Sequence, residues 1–330
     1  MASQSEIRPR SRLGAMAQGF YRAIGWAEPT RPAEGEGENA RFGEYTLGEK
    51  LGEGGMGVVY RANHRMLRRP AAIKLLPAKR AGEKNVERFE REVQLTSQLT
   101  HPNTIGIYDF GRAADGTFYY AMEYIDGIDL QTLVERDGPQ DPARVTHLLA
   151  QVAAALSEAH AAGLVHRDVK PANLMVCDRG GARDVVKVLD FGLIREVTSD
   201  PSDRDTDDEG GVVGTPLYMA PEAITSPGSV DARSDVYAIG AVGYFLLTGV
   251  PPFSGESVVE VCSQHLYSEP VSPSKRRGTP IPRDLEQLLL RCLAKAPEER
   301  PANAAELWNE LRRVAPTTPY YGVSAGALAA

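Results

Sequence analysis

His166-Arg167-Asp168-Val169-Lys170-Pro171-Ala172-Asn173, followed 17 residues after the Asn by Asp190-Phe191-Gly192, is the stretch from which the rest of the chain can be read. The two segments flank a short hairpin and set one candidate base, Asp168, beside two candidate metal ligands with hard oxygen donors, Asn173 and Asp190. Taken singly, an Asp is most often a cap or a turn residue. Its weight here comes from the series in which it stands.

Working back toward the N-terminus, Gly52-Glu53-Gly54-Gly55-Met56-Gly57 contains GxGxxG. A dinucleotide-binding unit would send that loop into a helix, with an acid about 20 residues on. Here Val58-Val59-Tyr60 continues as strand, and Lys74 occupies that region instead. A Walker loop requires Lys-Ser/Thr after its last glycine, and Val58-Val59 stands there. What survives is a glycine hairpin at Gly52, Gly54 and Gly57 whose backbone N–H groups can close over phosphate oxygens. Lys74 follows on a later strand to meet the charge. An ordinary glycine-rich turn is the plain alternative for the loop alone.

The 330 residues suffice for two lobes, and 42% hydrophobic with 25% charged residues describes a globular chain, excluding collagen, coiled coil and wholesale disorder. Net charge is −7, from 37 Lys+Arg against 44 Asp+Glu, which opposes general attraction to nucleic acid, so no nucleic-acid partner is expected. Cys177, Cys262 and Cys292 form no CxxC pair and read as buried small hydrophobes in a reducing, cytoplasmic setting. The longest charge-free apolar stretch, Val236 to Thr248, is shorter than the roughly 20 residues of a membrane span, so neither a span nor a secretory signal is expected.

Residues 1–43 read as a disordered arm rich in Arg, Glu, Gly and Pro. Leu13, Met16, Phe20 and Ile24 recur at helical spacing beside arginines, so the arm either packs weakly or carries a basic amphipathic helix for a partner or membrane surface. From Tyr45 to Tyr119 the pattern predicts short strands and one charged helix from about Lys84 to Leu99. After Asp126-Gly127 it turns helical. Asp141 as N-cap, Pro142 at the first position and Gly163 past the end bracket the clearest helix. Further helices are expected at about 231–248, 256–266, 283–295 and 302–313, and 314–330 as a flexible tail.

In order, the Gly loop, Ala-Ile-Lys with Lys74, a helical Glu92, the His-Arg-Asp segment, Asp-Phe-Gly, Gly214-Thr215-Pro216 leading to Ala220-Pro221-Glu222, Asp235 and Arg300-Pro301 resemble the protein kinases. Within them the likeness is to the eukaryotic-type Ser/Thr kinases of bacteria. The resemblance covers about residues 45–313. It implies an α+β, bilobal fold within 44–313: a small antiparallel β-sheet lobe with one helix at 44–124, and a larger, mainly helical lobe at 125–313.

The same resemblance implies ATP with Mg²⁺, or Mn²⁺ in its place, and γ-phosphoryl transfer to Ser/Thr of protein substrates, autophosphorylation included. Lys74 would meet the α/β-phosphates and pair with Glu92, for which a solvated charged face is the alternative. Asn173 and Asp190 would hold the metal, Asp168 would take the hydroxyl proton, and Lys170 would neutralise charge on the transferring group. Met122 falls at the gatekeeper position, Glu123 and Ile125 at the backbone that meets adenine, Val59, Ala72 and Met175 about the ring, and Asp129 at the ribose. Asp235 is assigned to hold the catalytic-loop backbone, Glu222 and Arg300 to form a buried ion pair, and His101 and His160 to packing.

Asp207, Asp208 and Glu209 stand where related bacterial kinases carry phosphothreonines, so this acidic run either substitutes in part for phosphate at Arg167 or is a solvated loop. Thr198, Ser199, Ser202 and Thr206 are the autophosphorylation candidates there. A pseudokinase that binds nucleotide as a scaffold is the rival reading; intact Lys74, Asp168, Asn173 and Asp190 oppose it. A small-molecule kinase is opposed by the segment from Gly214 to Glu222. A homodimer between small lobes, for autophosphorylation in trans, is allowed by the resemblance and compelled by no residue.

Overall fold

The computed structural model describes residues 41–54, 57–76, 93–112, 117–190 and 216–314. Glu92, the acidic run at 207–209, the candidate phosphorylation sites, the amphipathic stretch 13–24 and the tail from 315 lie outside them.

Six strands form the first sheet: β1 (Arg41–Phe42), β2 (Tyr45–Gly54), β3 (Gly57–His64), β4 (Pro70–Leu76), β5 (Ile107–Arg112) and β6 (Phe118–Glu123). All pairings are antiparallel and the order is β1-β2-β3-β4-β6-β5. The sheet thus opens at Arg41, two residues inside the segment expected to be an arm. β6 is buried on both faces, which explains its unbroken apolar run of Phe118-Tyr119-Tyr120-Ala121-Met122. One face packs on Tyr45, Leu47, Ala62 and Ile73, the other on Leu51, Val59, Met122 and Met175.

The remainder is mainly helical. Three short strands, β7 (Gly127–Asp129), β8 (Leu174–Arg179) and β9 (Ala182–Val188), make a second antiparallel sheet under the first. The helices are α1 (Leu130–Asp137), α2 (Pro142–Ala161), α3 (Pro221–Thr225), α4 (Ala232–Thr248), α5 (Val258–Tyr267), α6 (Pro273–Arg277), α7 (Arg283–Cys292) and α8 (Ala304–Val314).

α2 begins as its sequence dictates, with Asp141 accepting from the Ala143 N–H and Pro142 where no donor is needed, and ends before Gly163 at φ +77°. α4 is buried from Ser234 to Leu247, so the charge-free stretch is the central helix of the helical lobe's core. Its close approach to α7 requires glycine at 240, where a Cβ would stand 2.6 Å from Cys292 Cβ. Among the described residues no helix is long and apolar enough to cross a membrane. All three cysteines are unpaired, with Cys177 and Cys292 buried and Cys262 only partly so.

Candidate active site

Register assembles the first half of the site. Across the sheet Val59 lies opposite Lys74, and Lys74 opposite Tyr120, while Ala72 lies opposite Met122. Directly opposed residues share a face, so these five project on one side of the sheet. Gly52 pairs with Val59 and Gly54 with Gly57, closing the β2–β3 hairpin at the end of that face. Val59, Ile105, Met122, Ile125, Met175 and Leu189 line an apolar slot that ends at Asp190.

The second half is a loop wound on a buried carboxylate. Asp235, 1% exposed in α4, accepts from the backbone N–H groups of His166 at 2.8 Å and Arg167 at 2.9 Å. Arg167 there adopts φ +64°, a conformation a non-glycine residue holds only when its surroundings impose it. His166 is fully buried. Its Nε2 donates to the Leu189 carbonyl at 2.8 Å, and its Nδ1 accepts the Asp168 N–H at 3.2 Å. Beyond it, Lys170 Nζ and Asn173 Nδ2 both reach Asp168 Oδ2 at 2.9 Å. The same Asn173 amide donates to the Asp168 carbonyl at 2.8 Å, so its nitrogen is committed and its oxygen is the end left to accept a cation.

The halves meet at Asp190. The Leu189 N–H bonds the Asn173 carbonyl at 2.9 Å, which ties the residue before Asp190 to Asn173. Asp190 itself takes φ +40°. Lys74 Nζ, 2% exposed as a residue, donates to Asp190 Oδ2 at 2.8 Å, and the Tyr120 hydroxyl donates to Oδ1 at 2.8 Å. Burial alone would raise the Asp190 carboxyl; the Lys74 charge and the hydrogen bonds from Lys74 and Tyr120 outweigh it and hold the group below the usual carboxylate range.

Comparison with known proteins decides what this assembly is. The model of the protein kinase domain matches residues 45–311. The chain belongs to the protein kinase family. The kinase is 42% identical over 273 residues to the serine/threonine-protein kinase pkn3 of Myxococcus xanthus, covering 82% of this chain and 50% of that one. It is also 42% identical over 274 residues to serine/threonine-protein kinase PknB of Mycobacterium tuberculosis, covering 82% of this chain and 42% of that one. It therefore spans half or less of the curated relatives it matches.

Among solved structures, the kinase domain of Mycobacterium tuberculosis PknI aligns with TM-score 0.64 and 28% identity, over 85% of this chain and 99% of that one. Rad53 in complex with AMP-PNP aligns with TM-score 0.67 and 24% identity, over 81% and 64%, a likeness of fold alone. The expected α+β architecture, an antiparallel small lobe over a helical one, is the one observed. Membership of the family implies ATP and a divalent metal.

The connection between the kinase's lobes is held from behind. The Glu123 N–H donates to the Gly106 carbonyl at 2.8 Å, and its carboxylate pairs with buried Lys187 at 2.9 Å and with Arg179. Burial would raise Glu123; the bonds from Lys187 and Arg179 bring it below its ordinary value. By contrast, neither the N–H nor the C=O of Ile125, a buried residue, bonds another described residue. An apolar slot with an unpaired backbone edge suits a flat heteroaromatic base.

Two residues are held in ways their sequence readings did not describe. Asp129, read as a ribose contact, is fully buried and caps α1: Oδ1 accepts the Thr132 N–H at 2.9 Å and Oδ2 the Thr132 hydroxyl at 2.7 Å. Burial pushes its carboxyl up to about 6. His160, read as packing, makes polar contacts instead. Its Nε2 lies 2.8 Å from Asp235 Oδ2, while Nδ1 accepts the Ala304 N–H at 3.3 Å. Glu222 and Arg300 form the expected buried pair, bidentate at 2.7 and 2.9 Å. Tyr120 at Asp190 had no signal in the sequence, since only the strand register sets it opposite Lys74.

Proposed function

We propose that this kinase transfers the γ-phosphoryl group of ATP to Ser and Thr hydroxyls of protein substrates, itself included. The observation that carries the reading is the junction at Asp190, where the Lys74 ammonium from the sheet bonds the carboxylate and the Asn173 carbonyl from the helical lobe holds the N–H of the preceding Leu189. The catalytic unit is assigned to 44–313, extended by β1 at its start and by Val314 at the end of α8, with the residues before 41 an arm and those after 314 a tail. The compartment that supplies ATP and keeps the three cysteines reduced is the cytoplasm.

The donor set fits a divalent cation shared with phosphate. Among the described residues no three His, Cys, Asp or Glu side chains cluster, so the protein offers the Asp190 carboxylate and the Asn173 amide oxygen, with ligand oxygens completing the shell. That is the usual habit of Mg²⁺, for which Mn²⁺ can substitute. When bound, the cation neutralises charge developing on the transferring group.

The chain's own residues do the positioning. Lys74 holds the α/β-phosphates, and the Gly52, Gly54 and Gly57 backbone closes over them. Met122, Val59, Ala72 and Met175 sandwich adenine against the Glu123 carbonyl and the Ile125 backbone. Both donors on Asp168 fall on Oδ2, so Oδ1 is assigned the incoming hydroxyl. As the hydroxyl oxygen bonds the γ-phosphorus and the bond from that phosphorus to the bridging oxygen breaks to release ADP, the hydroxyl proton passes to Asp168 and Lys170 balances the charge beside it; a positioned base of this kind contributes about 10²–10⁴-fold. The segment from Gly214 to Glu222 favours an extended peptide as substrate.

The test is transfer from labelled ATP with Mg²⁺ to the chain and to a basic protein, native against Asp168→Asn. Label on Ser/Thr that falls at least about 100-fold in the variant, with nucleotide binding kept, is the expected result. Transfer undiminished in Asp168→Asn would sink the assignment, and binding without transfer by the native chain would favour a scaffold.

A further inference from the structure

Tyr120 is 2% exposed, and its ring lies in a cluster formed by Leu51, Val93, Ile105, Phe118 and Met122, where phenylalanine would pack equally well. Its hydroxyl nonetheless crosses 70 residues of sequence to donate to Asp190 Oδ1 at 2.8 Å. Lys74, its directly opposed neighbour, donates to the other oxygen of the same carboxylate, and Lys74 Nζ lies 5.8 Å from the Tyr120 ring centroid. One cross-strand pair therefore delivers one donor to each oxygen of Asp190. While Lys74 rests on Asp190 the two donors together fix the carboxylate, and when Lys74 turns to phosphate the bond from Tyr120 is the one that remains to hold it.

We infer that Tyr120 is a positioning residue for Asp190, holding the carboxylate in the orientation in which it meets the divalent cation. The inference rests on the proposed reading, in which Asp190 is a metal ligand. Each carboxylate oxygen has two acceptor sites, so the bond from Tyr120 leaves Oδ1 able to ligate. Groups that orient a ligand in this way typically contribute about 10–100-fold to metal affinity or activity. The hydroxyl is also retained at a cost that only a partner offsets, since a buried unpaired O–H is unfavourable.

The experiment uses Tyr120→Phe in the full chain, which removes the hydroxyl and keeps the ring. ADP affinity is measured across a Mg²⁺ series and in excess chelator, beside phosphate transfer over the same series and the urea unfolding midpoint. The Mg²⁺ concentration for half-maximal effect should rise at least about tenfold in both binding and transfer. Metal-free ADP affinity should stay at the native value and the unfolding midpoint should fall only by the loss of one hydrogen bond, with transfer recovering as Mg²⁺ saturates. A Mg²⁺ dependence equal to the native one overturns the inference and leaves the proposed function standing. Equal loss of ADP affinity with and without metal also overturns it, because it marks a packing role. If the native chain shows no Mg²⁺-dependent binding, the proposed function fails and this inference falls with it.

Discussion

Lys74 sits where a charge without a partner could not. At 2% exposure it carries its ammonium into the sheet's apolar face, and Asp190 Oδ2 at 2.8 Å is what makes that tolerable. The space is shaped for a compact head on a narrow stem, so charge alone does not suffice. Lys74→Arg should lower phosphate transfer on the order of 100-fold, because the planar fork displaces the contact by about an ångström. Steady-state transfer by the folded variant checks this, and native rates would show that position does not matter there. Lys74, Asp168, Asn173 and Asp190 could be grouped from the sequence because the series in which they stand resembles the motifs of the protein kinases. The capping role of Asp129 was not singled out for a physical reason: a carboxylate just ahead of a helix serves equally as a ribose acceptor or as an N-cap.

At the level of elements, α1 starts on that buried cap. Its folded carboxyl, near 6, holds a proton more tightly than the unfolded one near 3.8, so folding is favoured below about pH 4 and the advantage is lost as pH rises through 6. Asn caps nearly as well and does not titrate. In urea unfolding at pH 4, 5, 6 and 7, Asp129→Asn should therefore gain on the native protein by up to about 3 kcal/mol across the series. A constant difference would mean that Asp129 is not desolvated. The helices themselves were readable wherever capping chemistry brackets them, as Asp141, Pro142 and Gly163 do for α2. α7 ends at Cys292, earlier than the pattern to 295 suggested, because Leu293 closes the helix and the chain turns toward the Arg300 pocket. Strand pairing was not readable, since which residue faces Lys74 depends on a register built from three strands.

Across the whole molecule, Arg300 binds the start of α3 to the end of α7. Its fully buried guanidinium reaches Glu222 through two bonds and the carbonyls of Ala294, Lys295 and Arg233. Arg300→Met should cost about 3–5 kcal/mol, since it leaves the Glu222 carboxylate without its counter-charge and with the Ser234 hydroxyl at 2.6 Å as its remaining side-chain donor. Combining it with Glu222→Gln should return part of that loss. Unfolding midpoints of the two variants check it, and a double variant no more stable than the single would show that the cost lies in packing. Such long-range ties were foreseen where the residues resembled a known pair and missed where they did not, as with His160 between Asp235 and the first turn of α8. The Lys74–Asp190 contact spans the lobes in the same way. Seen as ion exchange, it is a cleft already loaded with its own counter-ions. On the proposed reading Lys74 trades a carboxylate for phosphate while Asp190 trades an ammonium for a metal cation, so both charges change partners without either being stripped of water at that moment.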